Sequence, residues 1–322
     1  MGEIFSPPLT SLLNTHMNYL ILTPDGVGST LLQRLLTMTL YLESHAVKNT
    51  HELTNGIGLE DGVASKTSGF DYSQSLDEIA SVLRSSDPKT QLVSRVAKYH
   101  IDARKDSMED CGVFYKFLNT HFNHQIACFR KNIFEYAMSW SIRNKSGVLN
   151  VYGKEDRIKV SKVSEVDEDY FINKCTAYVK YVEWIEKNFP NVTRIAYEDI
   201  VKDSDMIIQK VTGYQNTFKN KFGLSLDTIL LQEYELLKQH NKKELHKDQV
   251  KSLIKYKIMS KEMVQKKIIT NVPLKNTTLT DKRKQIQNFD NCLEKFYKFA
   301  RNHNWIDQSN ATYDFWNNEY IC

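Results

Sequence analysis

The feature that most constrains this chain is a junction near its start. Tyr19-Leu20-Ile21-Leu22-Thr23 is a short apolar run without helical periodicity, the pattern of a buried strand. It passes through Pro24-Asp25-Gly26-Val27-Gly28-Ser29-Thr30 into Leu31, Leu32, Leu35, Leu36 and Leu40, whose three- and four-residue spacing marks one apolar helix face. Strand, glycine turn and helix in that order is the unit from which parallel sheets with flanking helices are built. In such sheets ligands sit at the carboxyl ends of the strands, where helix N-termini offer unpaired amides.

The same alternation continues along the chain. Further strands are expected at Thr90–Ala97, running on to Lys98-Tyr99-His100, at His124–Phe129 followed by Arg130, and at Val192–Tyr197. Between them, a short helix is expected near Ser75–Arg84, a helix or a loop with a helix over Ser107–Phe122, and a long helix over Asp167–Asn188. The polar, glycine-containing stretch from Glu43 to Asp87 otherwise reads as loops. After the third strand, Asn132 with Glu135 three residues on is the pattern of a capping box, opening a helix with Phe134, Ala137, Met138 and Ile142 buried. Leu226–Lys267 reads as a helical excursion, and Asp281–Asn302 as a C-terminal helix with Ile286, Phe289, Leu293, Phe296 and Phe299 on one side. The expectation is one domain over 1–322, with a core of about 17–225, an excursion of about 226–270 and a last helix of about 281–302. Its class is α/β, a central, mainly parallel sheet flanked by helices.

Composition excludes several classes. Hydrophobic residues at 41% and charged residues at 25% suit a folded core rather than a disordered polymer. No run approaches the roughly 20 apolar residues of a bilayer span, and Met1 to Thr15 lacks a basic region followed by an apolar one, so neither export nor a membrane is expected. A net charge of +4 is too small to imply nucleic acid as a partner, but leaves room for a small anion. Five cysteines without a Cys-x-x-Cys pair argue against a disulfide scaffold or structural zinc and fit a reducing, cytoplasmic compartment. His121 and His124 lack a visible third ligand, so no metal is expected.

The glycine turn is not a familiar nucleotide loop. A Walker A sequence with its lysine is missing, and Gly26-x-Gly28 is followed by Leu31 where a dinucleotide fingerprint needs a third glycine. NTP hydrolysis and hydride transfer both lose ground. What remains is a turn whose amides and hydroxyls suit one terminal phosphate.

At this point the chain resembles the sulfotransferase family, in four elements in the family's order. Pro24 to Leu32 is similar to the loop that holds the donor's 5′-phosphosulfate. Lys98-Tyr99-His100 is similar to its Lys-x-His at a strand end. Ile126 to Arg130 with Ser139 resembles the strand, arginine and helical serine that grip the donor's 3′-phosphate. Ile195-Ala196-Tyr197-Glu198-Asp199-Ile200 resembles its strand ending in Tyr-Glu-Asp. The likeness covers roughly Tyr19 to Asp203. Two departures stand out. Gly26 occupies the place of the loop's basic residue, and Arg130 lies nine residues before Ser139, where eight is usual and Lys131 keeps that spacing.

The resemblance implies a P-loop NTPase-like sulfotransferase architecture with helical C-terminal additions. It also implies a 3′-phosphoadenosine-5′-phosphosulfate co-substrate, no metal, and a hydroxyl acceptor such as a sugar, a peptide tyrosine or a small alcohol. The roles follow residue by residue. Gly26, Val27, Gly28, Ser29, Thr30 and Leu31 would hold the 5′-phosphosulfate, Arg130 or Lys131 with Ser139 the 3′-phosphate, and Tyr197 would contact the adenine or close its pocket. His100 would be the general base and Lys98 would contact the transferring group. Lys275, Lys282 and Arg283 lie where the family often returns cations to the 3′-phosphate, but a solvated surface run is the favoured reading of them. The alternatives are a sulfotransferase-like binding module without chemistry and, further off, a nucleotide-dependent phosphotransferase. The acceptor pocket would be built from Glu43–Asp87 and Arg143–Glu165, and the setting would be the cytoplasm of a bacterium or a virus-infected cell.

Overall fold

A computed structural model describes residues 17–24, 26–53, 75–84, 88–102, 108–148, 154–229 and 282–303. Five strands form one sheet: β1 (Tyr19–Thr23), β2 (Val47–Glu52), β3 (Gln91–Ala97), β4 (His124–Phe129) and β5 (Thr193–Ala196), in the order β2-β3-β1-β4-β5. Every pairing is parallel. β1 is central, set against β3 from Tyr19↔Val93 to Thr23↔Ala97 and against β4 from Tyr19↔His124 to Leu22↔Ala127. It is buried along its whole length, which is why it carries no alternating polar residues.

The strand order fixes where a crevice opens. From β1 the chain crosses through α1 (Ser29–Leu42) toward β2, on one side of the sheet, whereas from β4 it crosses toward β5 on the other. Right-handed crossovers leaving in opposite directions place their helices on opposite faces, and the carboxyl ends of β1 and β4 flank the gap between them.

The flanking helices are α2 (Leu76–Arg84), α3 (Lys98–Asp102), α4 (Met108–His121), α5 (Ile133–Ser146), α6 (Lys154–Ser161), α7 (Glu168–Asn188), α8 (Tyr197–Lys202), α9 (Ser204–Thr212), α10 (Thr217–Phe222), α11 (Lys282–Gln285) and α12 (Phe289–Asn302). α9 and α10 pack on α1, while α7 packs between α5 and α12. Phe134 of α5 meets Phe171 of α7 and both Phe289 and Phe296 of α12 edge-on, with centroids 5.1–5.5 Å apart. Among the described residues no helix is long and apolar enough to cross a membrane.

Four expectations change. β2 lies in a stretch read as loops: Val47-Lys48-Asn49-Thr50-His51-Glu52 is, among the described residues, an edge strand paired with β3, and its sequence has no apolar run or alternation to announce it. β3 stops at Ala97, and Lys98 opens the single-turn α3 instead of extending the strand. β5 stops at Ala196, so Tyr197 is the first residue of α8 rather than the last of a strand. The C-terminal helix is broken after Gln285, because the chain docks there on the segment before α7. Gln287 N donates to Ser164 O (2.7 Å), and the Asn288 amide bonds both Val166 N and Val166 O. Most of the helical excursion, residues 54–74 and 85–87 of the first stretch assigned to the acceptor pocket, and residues 149–153 of the second lie outside the described residues.

Candidate functional site

The glycine turn leads into α1 without a side-chain cap. Gly28 occupies the N-cap position in the left-handed conformation (φ 77°), and no side chain among the described residues caps the helix. By contrast α5, α7 and α9 are capped by Asn132, Asp167 and Asp203. Ser29 is therefore not the cap; it is the first helical residue. With no acidic residue in its first turn either, α1 presents its positive end to the crevice. Gly26 also has positive φ (68°).

Both glycines are roofed by aromatic rings. A Cβ on Gly28 would sit 2.5 Å from Tyr197 Cδ2, and one on Gly26 would sit 2.6 Å from Trp140 Nε1. Only a residue without a side chain, free to take positive φ, fits either place. Val27 and Leu31 are buried and anchor the turn to the core.

Under the turn lies a cation. Arg95 of β3 sits opposite Ile21 in the register and is almost fully buried. Its Nη1 reaches Ser29 Oγ at 3.4 Å and hydrogen-bonds Thr30 Oγ1, while Thr23 Oγ1 donates to Ser29 Oγ at 3.0 Å. The two loop hydroxyls are thus oriented from below by a charge three residues ahead of Lys98. A charged residue inside a buried strand demands partners, which is the signal that could have singled Arg95 out.

At the end of β4 the backbone is pinned by α7. Tyr178 Oη accepts from Arg130 N (2.8 Å) and donates to Arg130 O (2.9 Å). Tyr181 Oη lies 3.0 Å from the carbonyls of both Leu22 and Cys128, where β1 and β4 part. Burial pushes the Tyr181 pKa well above that of a free tyrosine, so the hydroxyl keeps its proton for those carbonyls. These tyrosines read in the sequence only as an apolar face.

The Arg130 guanidinium stacks 4.4 Å from the centroid of the Tyr197 ring, with its Nε 2.9 Å from Glu198 Oε1. The other carboxylate oxygen of Glu198 accepts from Lys131 N (3.0 Å), and Lys131 Nζ pairs with Asp199 Oδ1 at 2.9 Å. Glu198 and Asp199 therefore hold Arg130 and Lys131 apart and aim them differently. Both meet α8, Arg130 on the Tyr197 ring and Lys131 on Asp199. Burial raises the pKa of Tyr197, opposed by the positive charge of Arg130.

Ser139 of α5 meets a third cation. Lys282 Nζ of α11 lies 2.8 Å from Ser139 Oγ and forms an ion pair with Glu135, whose backbone amide donates to the Asn132 cap at 2.9 Å. The Asn132 side chain thus caps α5, and the Glu135 carboxylate pairs with Lys282. Lys282 is only 4% exposed, which overturns the solvated reading for this residue. Burial holds its pKa below that of an ordinary lysine against the pull of Glu135, with Arg130 and Arg143 near enough to lower it further. Arg283 is exposed, 3.8 Å from Asp290, as a surface residue would be, and Lys275 lies outside the described residues.

Lys98 and His100 both fall in α3, which follows β3 at the same sheet edge. Lys98 is half-buried; the His100 side chain lies outside the described residues. His121 and His124 sit at the opposite end of β4, the first stacked on Phe117 and the second tilted against Tyr19. Among the described residues no group of three or more His, Cys, Asp or Glu is placed to hold a metal ion. Cys128, Cys175 and Cys292 are buried and free.

The turn, Arg95, Arg130, Tyr197 and Trp140 thus gather donors and positive charge at the carboxyl ends of the strands, a setting suited to a phosphorylated or sulfated ligand. The chain matches no protein-family model, no curated protein and no solved structure.

Proposed function

We propose that this chain is a P-loop-like sulfotransferase that moves the sulfuryl group of 3′-phosphoadenosine-5′-phosphosulfate to a hydroxyl acceptor. One observation carries the reading: Tyr197 rests against Gly28 and also under the Arg130 guanidinium. Three sequence elements that the resemblance assigns to one nucleotide therefore close on each other at one point of the sheet edge.

Sulfuryl transfer passes, like phosphoryl transfer, through a loose in-line transition state, so the protein has mainly to position the reactants and meet negative charge. The amides and hydroxyls of Gly26 to Leu31 bind the 5′-phosphosulfate at the positive end of α1, with Arg95 behind Ser29 and Thr30. Tyr197 borders the nucleoside. Arg130, stacked on Tyr197, meets that nucleotide in preference to Lys131, which is paired with Asp199, and Ser139 with Lys282 supplies further contacts for the 3′-phosphate. His100 accepts the proton of the acceptor hydroxyl while its oxygen bonds to sulfur. The bond from sulfur to the phosphate oxygen breaks, and adenosine 3′,5′-bisphosphate leaves with that electron pair. Lys98 steadies the transferring oxygens. The acceptor is a sugar, a peptide tyrosine or a small alcohol.

A second reading, a nucleotide-binding module without chemistry, is favoured by one feature: Gly26 brings no cation to the loop, and an indole lies where its side chain would start. A thermal-shift titration with adenosine 3′,5′-bisphosphate beside ATP, ADP and NAD tests both readings. At about 100 times its dissociation constant a ligand of the folded state stabilises by roughly 2.7 kcal/mol, a clear rise in melting temperature. Selective stabilisation is expected and should vanish when Arg130 and Lys131 are both changed to Ala. No response to the bisphosphate refutes both readings. Response without turnover of the sulfate donor over sugar, peptide and alcohol acceptors leaves the second.

A further inference from the structure

Trp140 of α5 is about nine-tenths buried, yet its indole Nε1 has no hydrogen-bond partner among the described residues. A buried N–H without an acceptor is costly, and it is uncommon enough to call for an explanation. Its surroundings supply one. The nitrogen edge of the ring faces Gly26: a Cβ there would meet Nε1 at 2.6 Å, Cε2 at 3.1 Å and Cζ2 at 3.3 Å. The donor is therefore aimed into the turn at the uncapped N-terminus of α1, a helix of 14 residues. Two cations lie over its π face, Lys174 Nζ at 4.5 Å and Arg143 Cζ at 5.3 Å from the ring centroid. They hold the ring against the turn, add positive charge beside it, and polarise the indole so that its N–H becomes a stronger donor.

We propose that Trp140 Nε1–H donates directly to the oxyanion seated on the N-terminus of α1, a phosphate or sulfonate oxygen. The indole fills the space that a side chain at position 26 would take and supplies a donor from a neighbouring helix. This deepens the sulfotransferase reading at the same site and rests on it only for the identity of the nucleotide. The geometry requires only a tetrahedral oxyanion.

The test uses the full chain with two probes, adenosine 3′,5′-bisphosphate and inorganic pyrophosphate, read by calorimetry and by the indole resonances of ¹⁵N-tryptophan-labelled protein. Loss of one hydrogen bond to a charged acceptor in Trp140→Phe should weaken binding about 10- to 100-fold. The indole cross-peak missing from that variant should move downfield in wild type when either probe saturates it. If Trp140→Phe does not fold, single substitutions of Trp184, Trp305 and Trp316 identify the peak by elimination, since the chain has four tryptophans. Undiminished binding by Trp140→Phe with an unmoved peak overturns the inference while leaving the bisphosphate site intact. A peak moved by pyrophosphate, with no bisphosphate binding, keeps the inference and overturns the nucleotide reading. Binding of neither probe overturns both.

Discussion

Lys282→Met removes a charge that the packing has already taken out of water. The lysine is 4% exposed and its partner Glu135 16%, and Glu135 Oε1 has no hydrogen-bond partner among the described residues. Methionine keeps most of the lysine stem's volume, so the main change is electrostatic: a buried carboxylate loses its cation and Ser139 loses its donor. Breaking such a pair from one side costs about 3–5 kcal/mol, a large share of the roughly 5–15 kcal/mol by which a folded domain is stable. Neutralising the partner as well, in Glu135→Gln with Lys282→Met, removes the stranded charge and should restore part of that loss, a coupling of about 1–3 kcal/mol. Urea unfolding followed by far-ultraviolet circular dichroism measures both, read as a shift of the midpoint at unchanged slope. A single variant within about 0.5 kcal/mol of wild type would refute the reasoning, because surface lysines behave that way.

Three further outcomes follow from the same contacts. Gly28→Ala must hold φ at 77° with a Cβ 2.5 Å from Tyr197, so it should cost about 2–5 kcal/mol in urea unfolding, and adding Tyr197→Ala should recover only the steric part. Tyr181→Phe leaves the Leu22 and Cys128 carbonyls without their donor and should cost about 1–3 kcal/mol, with faster amide exchange at the ends of β1 and β4. Burial pushes the Cys128 and Cys292 thiols from 9.0 to about 12; a raised folded-state pKa is stability present below pH 9 and lost as pH climbs toward 12. Melting temperature should therefore fall above pH 9, less steeply in Cys128→Ala, although Lys282, with its lowered pKa, pulls the other way.

Most of the frame was legible because local signals agreed with the fold. The unbroken apolar run of β1, the leucine spacing of α1 and the Asn132 cap each specify their element without help from distant residues. β2 was not legible, because Lys48-Asn49-Thr50-His51-Glu52 at the sheet edge has neither an apolar run nor an apolar/polar alternation. The strand ends were read one step too long at Lys98 and Tyr197, where polar residues can as easily start a helical turn as finish a strand. Within the site, residues contiguous with a motif were visible, and residues that arrive from elsewhere were not. Trp140 reads as one more aromatic on α5, and only its approach to Gly26 gives it a role. Lys282 sits in a basic run that suggests solvent, and only the docking of α11 on α5 buries it.

Those late arrivals bear on how charge could be handled without a cation in the loop. A loop lysine would reach the anion from the solvent side and would have to be immobilised as the ligand binds, at the entropic cost of a long side chain. Arg95 is already fixed in a strand beneath Ser29 and Thr30, and Trp140 is already wedged against Gly26, so neither needs ordering when an oxyanion arrives. In the proposed transfer, a fixed donor set of this kind would favour the charge of the transition state without reorganising at the moment of transfer. The same rigidity has a consequence for substitution. Restoring a cation as Gly26→Lys should not strengthen binding of adenosine 3′,5′-bisphosphate, because the new Cβ would strike the indole at 2.6 Å and hold positive φ before its ammonium could reach the anion. Calorimetry should find that variant weaker than wild type. Tighter binding would show that the indole yields to a side chain, and that the turn is less fixed than the roofing rings imply.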